Sequence, residues 1–283
     1  MIHVNVGSFG VGMMCRLLDV SRAGYYAWCS RKESAHTLED RNLTAKIQEI
    51  YHASRTIYGS PRVLSSLKKQ GEQCGRRRVA RLMRLNGLIG LKRRHRKVSR
   101  SASTSYGASP NLIERSFDSG AYSLNQAWVG DITEIPTGEG VLYLAIVLCL
   151  RSREIVGWSM KRTRDTIMII EALKMALDAQ RPNDGLIFHS DQGSQYASEP
   201  FREVLTQYGI RQSMSRRGNC WDNAPAESFF ATMKLEIPGL DRSRTRPEAE
   251  AAIFEYLAVF YNRQRLHSAI GYQVPVSVDR EAA

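Results

Sequence analysis

Cysteine is scarce and scattered: Cys15, Cys29, Cys74, Cys149 and Cys220 form no Cys-x-x-Cys pair, and no histidine sits near them at ligand spacing. A structural zinc is therefore not expected, and an odd count offers no disulfide framework. No apolar run approaches the roughly 20 residues a membrane span needs. Arg16 and Asp19 interrupt the weakly apolar N-terminal stretch, which denies it the basic-then-apolar order of a secretory signal. Coiled-coil heptads and internal repeats are also missing. What remains reads as a cytoplasmic globular chain. Its 283 residues, 43% hydrophobic and 24% charged, suffice for one sizeable core and a smaller helical module.

The net charge of +12 is unevenly spread. Residues 1–120 hold 22 Lys/Arg against 8 Asp/Glu, whereas residues 121–283 hold 18 against 20. A basic first part joined to a near-neutral second part suggests that the first grips a polyanion. The same imbalance would suit a ribosomal or membrane-surface partner.

The first 40 residues read as two short helices. Met14, Leu17 and Leu18 take helical spacing, and a turn at Asp19–Ser21 leads into a second segment. A helix-turn-helix and a generic helical pair fit this pattern equally. From residue 41 the periodicity sharpens, with Leu43, Ile47, Ile50 and Tyr51 on one face. A second helix is expected from Ser60 as N-cap with Pro61 in its first turn, ending at Gly71. A third spans about 75–86. Val79, Leu82 and Met83 face one way on it, and Arg77, Arg81 and Arg84 the other. The run Lys92-Arg93-Arg94-His95-Arg96-Lys97 follows, so that 11 of residues 76–100 are Lys or Arg. A charged helix face is usually only solvated, but this density favours DNA, with Arg77, Arg81, Arg84, Lys92, Arg93 and Arg94 as the contacts. The stretch 98–120 opens rich in Ser, Gly and Pro and reads as a linker.

Beyond it the pattern becomes α/β. Strands are expected at 128–135, 141–150, 154–160, 186–189 and 210–215. A helix over 166–180 should turn Ile167, Ile170, Leu173 and Leu177 inward. Another, starting near Pro200, should turn in Phe201, Val204, Leu205 and Tyr208. The order βββαβαβα implies a mixed five-stranded sheet at 121–236, followed by a C-terminal helical extension at 237–283.

Three acids stand out here. Asp131 lies inside a strand, where Asp is disfavoured. Asp191 ends an apolar strand, and Glu227 opens a helix after a polar loop; 35 residues separate the two. Convergent carboxylates repel one another unless cations hold them, and two hard divalent ions roughly 4 Å apart are what phosphodiester displacement uses. Taken singly, each acid also has an ordinary reading: a turn cap, an Asx turn, or a helix N-terminus.

The surrounding segments resemble the insertion-sequence transposases whose catalytic core is of the retroviral-integrase type. Trp128-Val129-Gly130-Asp131-Ile132-Thr133 is similar to that family's first-acid motif. His189-Ser190-Asp191-Gln192-Gly193-Ser194-Gln195-Tyr196 is similar to the second, and the run from Arg217 to Phe230 around Glu227 to the third. Tyr261-Asn262-Arg263-Gln264-Arg265-Leu266-His267-Ser268 resembles its C-terminal signature, and Tyr58-Gly59-Ser60-Pro61-Arg62 its helical DNA-binding module. The resemblance covers nearly the whole chain. It implies a ribonuclease H-like core behind an all-α helix-turn-helix module, with Asp131, Asp191 and Glu227 as catalytic and metal-binding acids. It further implies two Mg²⁺ or Mn²⁺ ions, cleavage at the transposon ends, and attack of the freed 3′-OH on target DNA without a covalent protein–DNA intermediate. The partners would be the terminal inverted repeats and target DNA, held by a homo-oligomer and associated with the nucleoid.

Lys234, seven residues past Glu227 and on nearly the same face, matches the offset of a phosphate-binding lysine in similar proteins; a plain solvent-facing lysine fits as well. His189 suits a buried core histidine at least as readily as a catalytic group. Asn262, Arg265 and His267 are expected to brace the site more than to touch DNA. One departure is Cys149, which stands where the family usually has Asp; Arg151 replaces a more usual apolar residue. Cys149 is the one feature pointing to a non-catalytic DNA-binding relic or a repressor of its own element. A stand-alone ribonuclease H-like nuclease is a third reading.

Overall fold

The computed structural model describes residues 1–92, 109–216, 220–240 and 244–278. Five helices come first: α1 (Val11–Leu17), α2 (Arg22–Ser30), α3 (Ala35–Ala53), α4 (Ser60–Lys69) and α5 (Arg76–Leu85). Serine hydroxyls start two of them. Ser21 accepts from Gly24 N at 3.0 Å and Ser34 from Thr37 N at 3.1 Å, each satisfying a donor that the first helical turn leaves open. The helix expected to begin at a Ser60 cap starts one residue earlier: Ser60 is already helical and Gly59 is its cap. Leu17, at helical spacing with Met14 and Leu18, is 83% exposed, because α1 spans only two turns and seats Met14 and Cys15 against Ile2.

The sheet has the order β3-β2-β1-β4-β5. β1 (Ala127–Thr137), β2 (Gly140–Cys149) and β3 (Ile155–Lys161) form an antiparallel meander, and β4 (Ile187–Ser190) and β5 (Arg211–Met214) join in parallel on the other side of β1. β2 reads as an unbroken apolar run because both its faces are covered. Ala145, Val147 and Cys149 point into a cluster with α6 (Thr166–Gln180) and α7 (Glu199–Gln207). Leu142, Leu144, Ile146 and Leu148 point into the opposite cluster, with α8 (Ala224–Glu236), α9 (Arg246–Glu255) and the segment after it. On α6 the inward stripe is Met168, Ile169, Ala172, Leu173, Ala176 and Leu177. Leu173 and Leu177 are inward as expected and Ile170 packs partly buried beside them, whereas Ile167, at the start of the helix, is 60% exposed. Tyr208, past the end of α7, is likewise exposed.

The C-terminal helix departs from the sequence expectation in form. α9 opens with a Thr245–Glu248 capping box and continues into a π-helical turn over Tyr256–Tyr261. That wider turn buries Tyr256, Leu257, Phe260 and Tyr261 together. Below it, buried Arg265 grips buried Glu236 at the end of α8 with two 2.7 Å hydrogen bonds, and Tyr256 donates to the same carboxylate at 2.8 Å. The helical module is not a separate bead. Its core residues belong to the same apolar cluster as the α8 face of the sheet. Tyr58 Oη accepts from Leu266 N at 2.7 Å, Arg62 donates to Leu266 O at 3.0 Å, and Arg55 pairs with Glu255.

α6 lies so close to β3 that a Cβ on Gly157 would stand 2.1 Å from Ala172 O. Replacing Gly157 by alanine forces the helix off the sheet. The expected loss is roughly 1–3 kcal/mol, read as a lower denaturation midpoint; an unchanged midpoint would contradict this packing.

Candidate active site

β1 and β4 run parallel, and their last paired residues are Val129 and His189. Asp131 and Asp191 each lie two residues beyond that pair, on neighbouring strands that pack about 4.8 Å apart. Asp131 shares the odd-numbered face of β1 with Ala127 and Val129, which is the face covered by α8. Glu227 sits in the first turn of α8. Three stretches distant in sequence thus converge where β4 ends beside the middle of β1.

The electrostatics record the convergence. Burial, then the charge of Asp191, raise the Asp131 pKa well above its ordinary value; Glu227 adds to the rise. A hydrogen bond from the Ile132 amide at 2.8 Å and the positive charge of Arg164 oppose it without cancelling it. The Asp191 carboxylate accepts from Gly193 N at 2.9 Å, closing a turn that fixes it at the strand end. Among the described residues, no three His, Cys, Asp or Glu side chains are drawn together tightly enough to hold a metal ion as they stand. The donor set nonetheless fits one. All three groups are hard oxygen ligands, and two buried oxygens nearby, Gln192 Oε1 and Asn223 Oδ1, have no hydrogen-bond partner. Gln192 follows Asp191 directly, and Asn223 donates to Gly130 O at 3.4 Å beside Asp131.

The loop leading to Glu227 is anchored by a residue that sequence reasoning passed over. Asp222 is buried, and its carboxylate accepts from Arg115 Nε at 2.7 Å and from Arg216 Nε at 2.9 Å and Nη2 at 3.0 Å. The hydrogen bonds of Arg216 hold its carboxyl far below the ordinary value. Its signal in sequence was only an Asp in a polar loop; the partner Arg115 lies more than a hundred positions away. His189 proves to be a core histidine. Its ring meets Ser213 Oγ and Asp222 O, both at 2.8 Å, and burial lowers its pKa. Arg164 and buried Tyr196 also face the acids and were not singled out from sequence.

Lys234 reaches across to β1, donating to Thr133 Oγ1 at 2.7 Å and Glu134 O at 2.8 Å. Loss of water around its ammonium lowers its pKa, against the pull of Glu134 and Asp131. The C-terminal signature braces. Asn262 bonds both the N–H and the C=O of Ile155 at the start of β3, and burial near Arg265 lowers the His267 pKa to about 3. On α5 the arginines divide. Arg81 pairs with Asp40 at 2.5 Å, as Arg78 does at 2.7 Å, whereas Arg77 and Arg84 are exposed and without an ion-pair partner among the described residues. Lys92 is exposed; Arg93 and Arg94 lie outside the described residues. Cys149 is fully buried between the sheet and α6, in an apolar setting that suits a thiol.

The integrase core domain family matches residues 121–220 and, in a second form, 208–275; an HTH-like domain family matches 37–97. A 31 kDa protein of insertion element IS600 from Shigella sonnei is 39% identical over 93% of this chain and 96% of its own length. The transposase of insertion sequence element IS904 from Lactococcus lactis is 37% identical over 88% and 98%. Among solved structures, the magnesium complex of the HTLV-2 integrase catalytic core domain aligns with 55% of this chain and 96% of its own. Its TM-score is 0.41 at 18% identity.

A carboxyl whose folded pKa is raised weakens the fold once it ionises. Its cost is absent at pH values below the ordinary 3.8, grows as pH rises toward the folded value and is complete above it. Asp131→Asn is therefore expected to raise the melting temperature of the metal-free protein at neutral pH and to lose that advantage below about pH 4. A melting temperature lowered at neutral pH would contradict the described repulsion.

Proposed function

The chain belongs to the family of insertion-sequence transposases, and from that membership we propose that Asp131, Asp191 and Glu227 are the acids with which it cuts and joins DNA. The observation that carries the assignment is placement: Asp131 and Asp191 each lie two residues past the last β1–β4 pair and Glu227 is in the first turn of α8, close enough for the charges of the other two to raise the Asp131 pKa alongside its burial. Magnesium or manganese, as two ions, would be held by these three carboxylates and when bound would polarise the phosphodiester and favour ionisation of the attacking hydroxyl. The chain's own contribution is position. β1 and β4 present two carboxylates from the rigid centre of the sheet, and the Asp222–Arg216 pair holds the approach to the helix that presents the third.

Lys234 would exchange its bond to Thr133 for a phosphate oxygen of the DNA, bringing a cation beside the acids. The helical module would hold the terminal repeats, with Arg77, Arg84 and Lys92 as contacts and Arg81 held by Asp40, so that residues up to about 97 find the DNA and residues 121–236 act on it. End cleavage would be followed by attack of the freed 3′-OH on target DNA, and joining two ends requires at least two copies of the chain. A relic or repressor reading has lost its main motive: Cys149 sits in an apolar cluster, where a carboxylate would need a buried partner.

Purified protein, Mg²⁺ and a duplex bearing the element's ends are expected to give 3′-nicked and strand-joined products. Asp191→Asn should lower both by at least about 100-fold while leaving duplex binding intact. Products undiminished in that variant would refute the assignment.

A further inference from the structure

A groove that engages both modules lies between the start of α4, one face of α5, the segment 87–92 and the turn after the C-terminal signature, and it encloses about 600 Å³. Four cations line it (Arg62, Arg76, Arg84 and Lys92), and none of its lining residues is acidic. That separates it from the α3 side of α5, where Glu39 and Asp40 neutralise Arg78 and Arg81. Arg76, Ala80 and Arg84 recur at i, i+4 and i+8, so they form one helical face, with a small residue between two cations. It shares Arg84 with the Arg77–Arg81–Arg84 stripe that spacing alone suggests but is turned toward Arg76 and Ala80 in place of Arg77 and Arg81.

The groove is built, not improvised. Its floor joins Gly90 to Gly59 so closely that a Cβ on Gly90 would stand 2.4 Å from Gly59 N. Leu91 N bonds Ile57 O at 3.1 Å, and Tyr51 donates to Ile89 O at 2.9 Å. The far wall, Ser268 and Tyr272, comes from the C-terminal segment and is held there by the bonds of Tyr58 and Arg62 to Leu266.

We propose that this groove binds the backbone phosphates of duplex DNA, so that the helical module and the C-terminal segment grip the DNA jointly. Arg76 and Arg84 lie eight residues apart on α5, about 12 Å along its axis, a span that no single phosphate bridges and a strand of phosphates does. The lining has no Asn, Gln or acid to read adenine or cytosine edges, and its cations are spaced along the helix as phosphate contacts require. The proposal rests on the transposase reading but is separable from it.

The test is binding of the full chain to a fluorescein-labelled random-sequence duplex, followed by anisotropy across a salt series. Each phosphate contact contributes about 0.9 to the slope of log K against log salt, so Arg76→Ala/Arg84→Ala is expected to lower the slope by about 1.8. Lys68→Ala/Lys69→Ala removes the same charge from an exposed site on α4 outside the groove and is expected to leave the slope unchanged. Ser268→Glu, which adds one negative charge from the other module, should weaken binding roughly tenfold. An unaltered slope in the arginine double, equal losses in both doubles, or wild-type affinity in Ser268→Glu would each overturn the groove while sparing the transposase reading. A wild-type chain that binds no duplex would overturn both.

Discussion

Holding a carboxylate inside a sheet is unfavourable, and at Asp131 the neighbours make it more so. Burial strips its water, Asp191 stands at the same level on the adjacent strand, and Glu227 leans in from α8. In the metal-free chain one backbone amide and the charges of Arg164 and Lys234 offset only part of this. The rest of the fold can be understood as what keeps that arrangement from relaxing. β2 is buried on both faces and fixes β1. The Gly157 contact seats α6 against β3, and buried Asp222 fastens the loop before α8 to Arg115 and Arg216. A site that repels itself needs such a scaffold, and protonation or a bound cation would relieve the repulsion.

The same reasoning extends to the far end of α8. Glu236 is buried and would be costly alone, but Arg265 meets it with two hydrogen bonds and Tyr256 with a third. Through Leu266 that network touches Tyr58 and Arg62 of the helical module. The two segments that look like family signatures, Tyr58–Arg62 and Tyr261–Ser268, are therefore halves of one contact. Their contact ties the helical module to the sheet domain, and the basic groove is formed where they meet.

Much of this was legible in the sequence. Alternating and continuous apolar runs located the strands to within a residue or two, because burial on one or both faces leaves a local signature. Asp131, Asp191 and Glu227 were visible because each breaks such a pattern or ends it. What escaped were relations between distant residues. The Asp222–Arg115 pair, the Glu236–Arg265 pair and the groove shared by α5 and Ser268 depend on contacts that no local spacing encodes. Ile167 and Tyr208 were misplaced for a related reason: they lie at helix ends, where the direction of packing is set by the neighbouring element and not by the helix period. The π-helical turn at Tyr256–Tyr261 is a third case, since its sequence reads as ordinary helix.

The central claim is that the three acids form one cation site. Its most direct measurement is an anomalous-difference map from crystals of the full chain soaked in Mn²⁺. Density is expected between the carboxylates of Asp131, Asp191 and Glu227, with metal–oxygen distances of about 2.0–2.3 Å. Manganese bound elsewhere on the chain, with these three carboxylates unligated at saturating concentration, would contradict it.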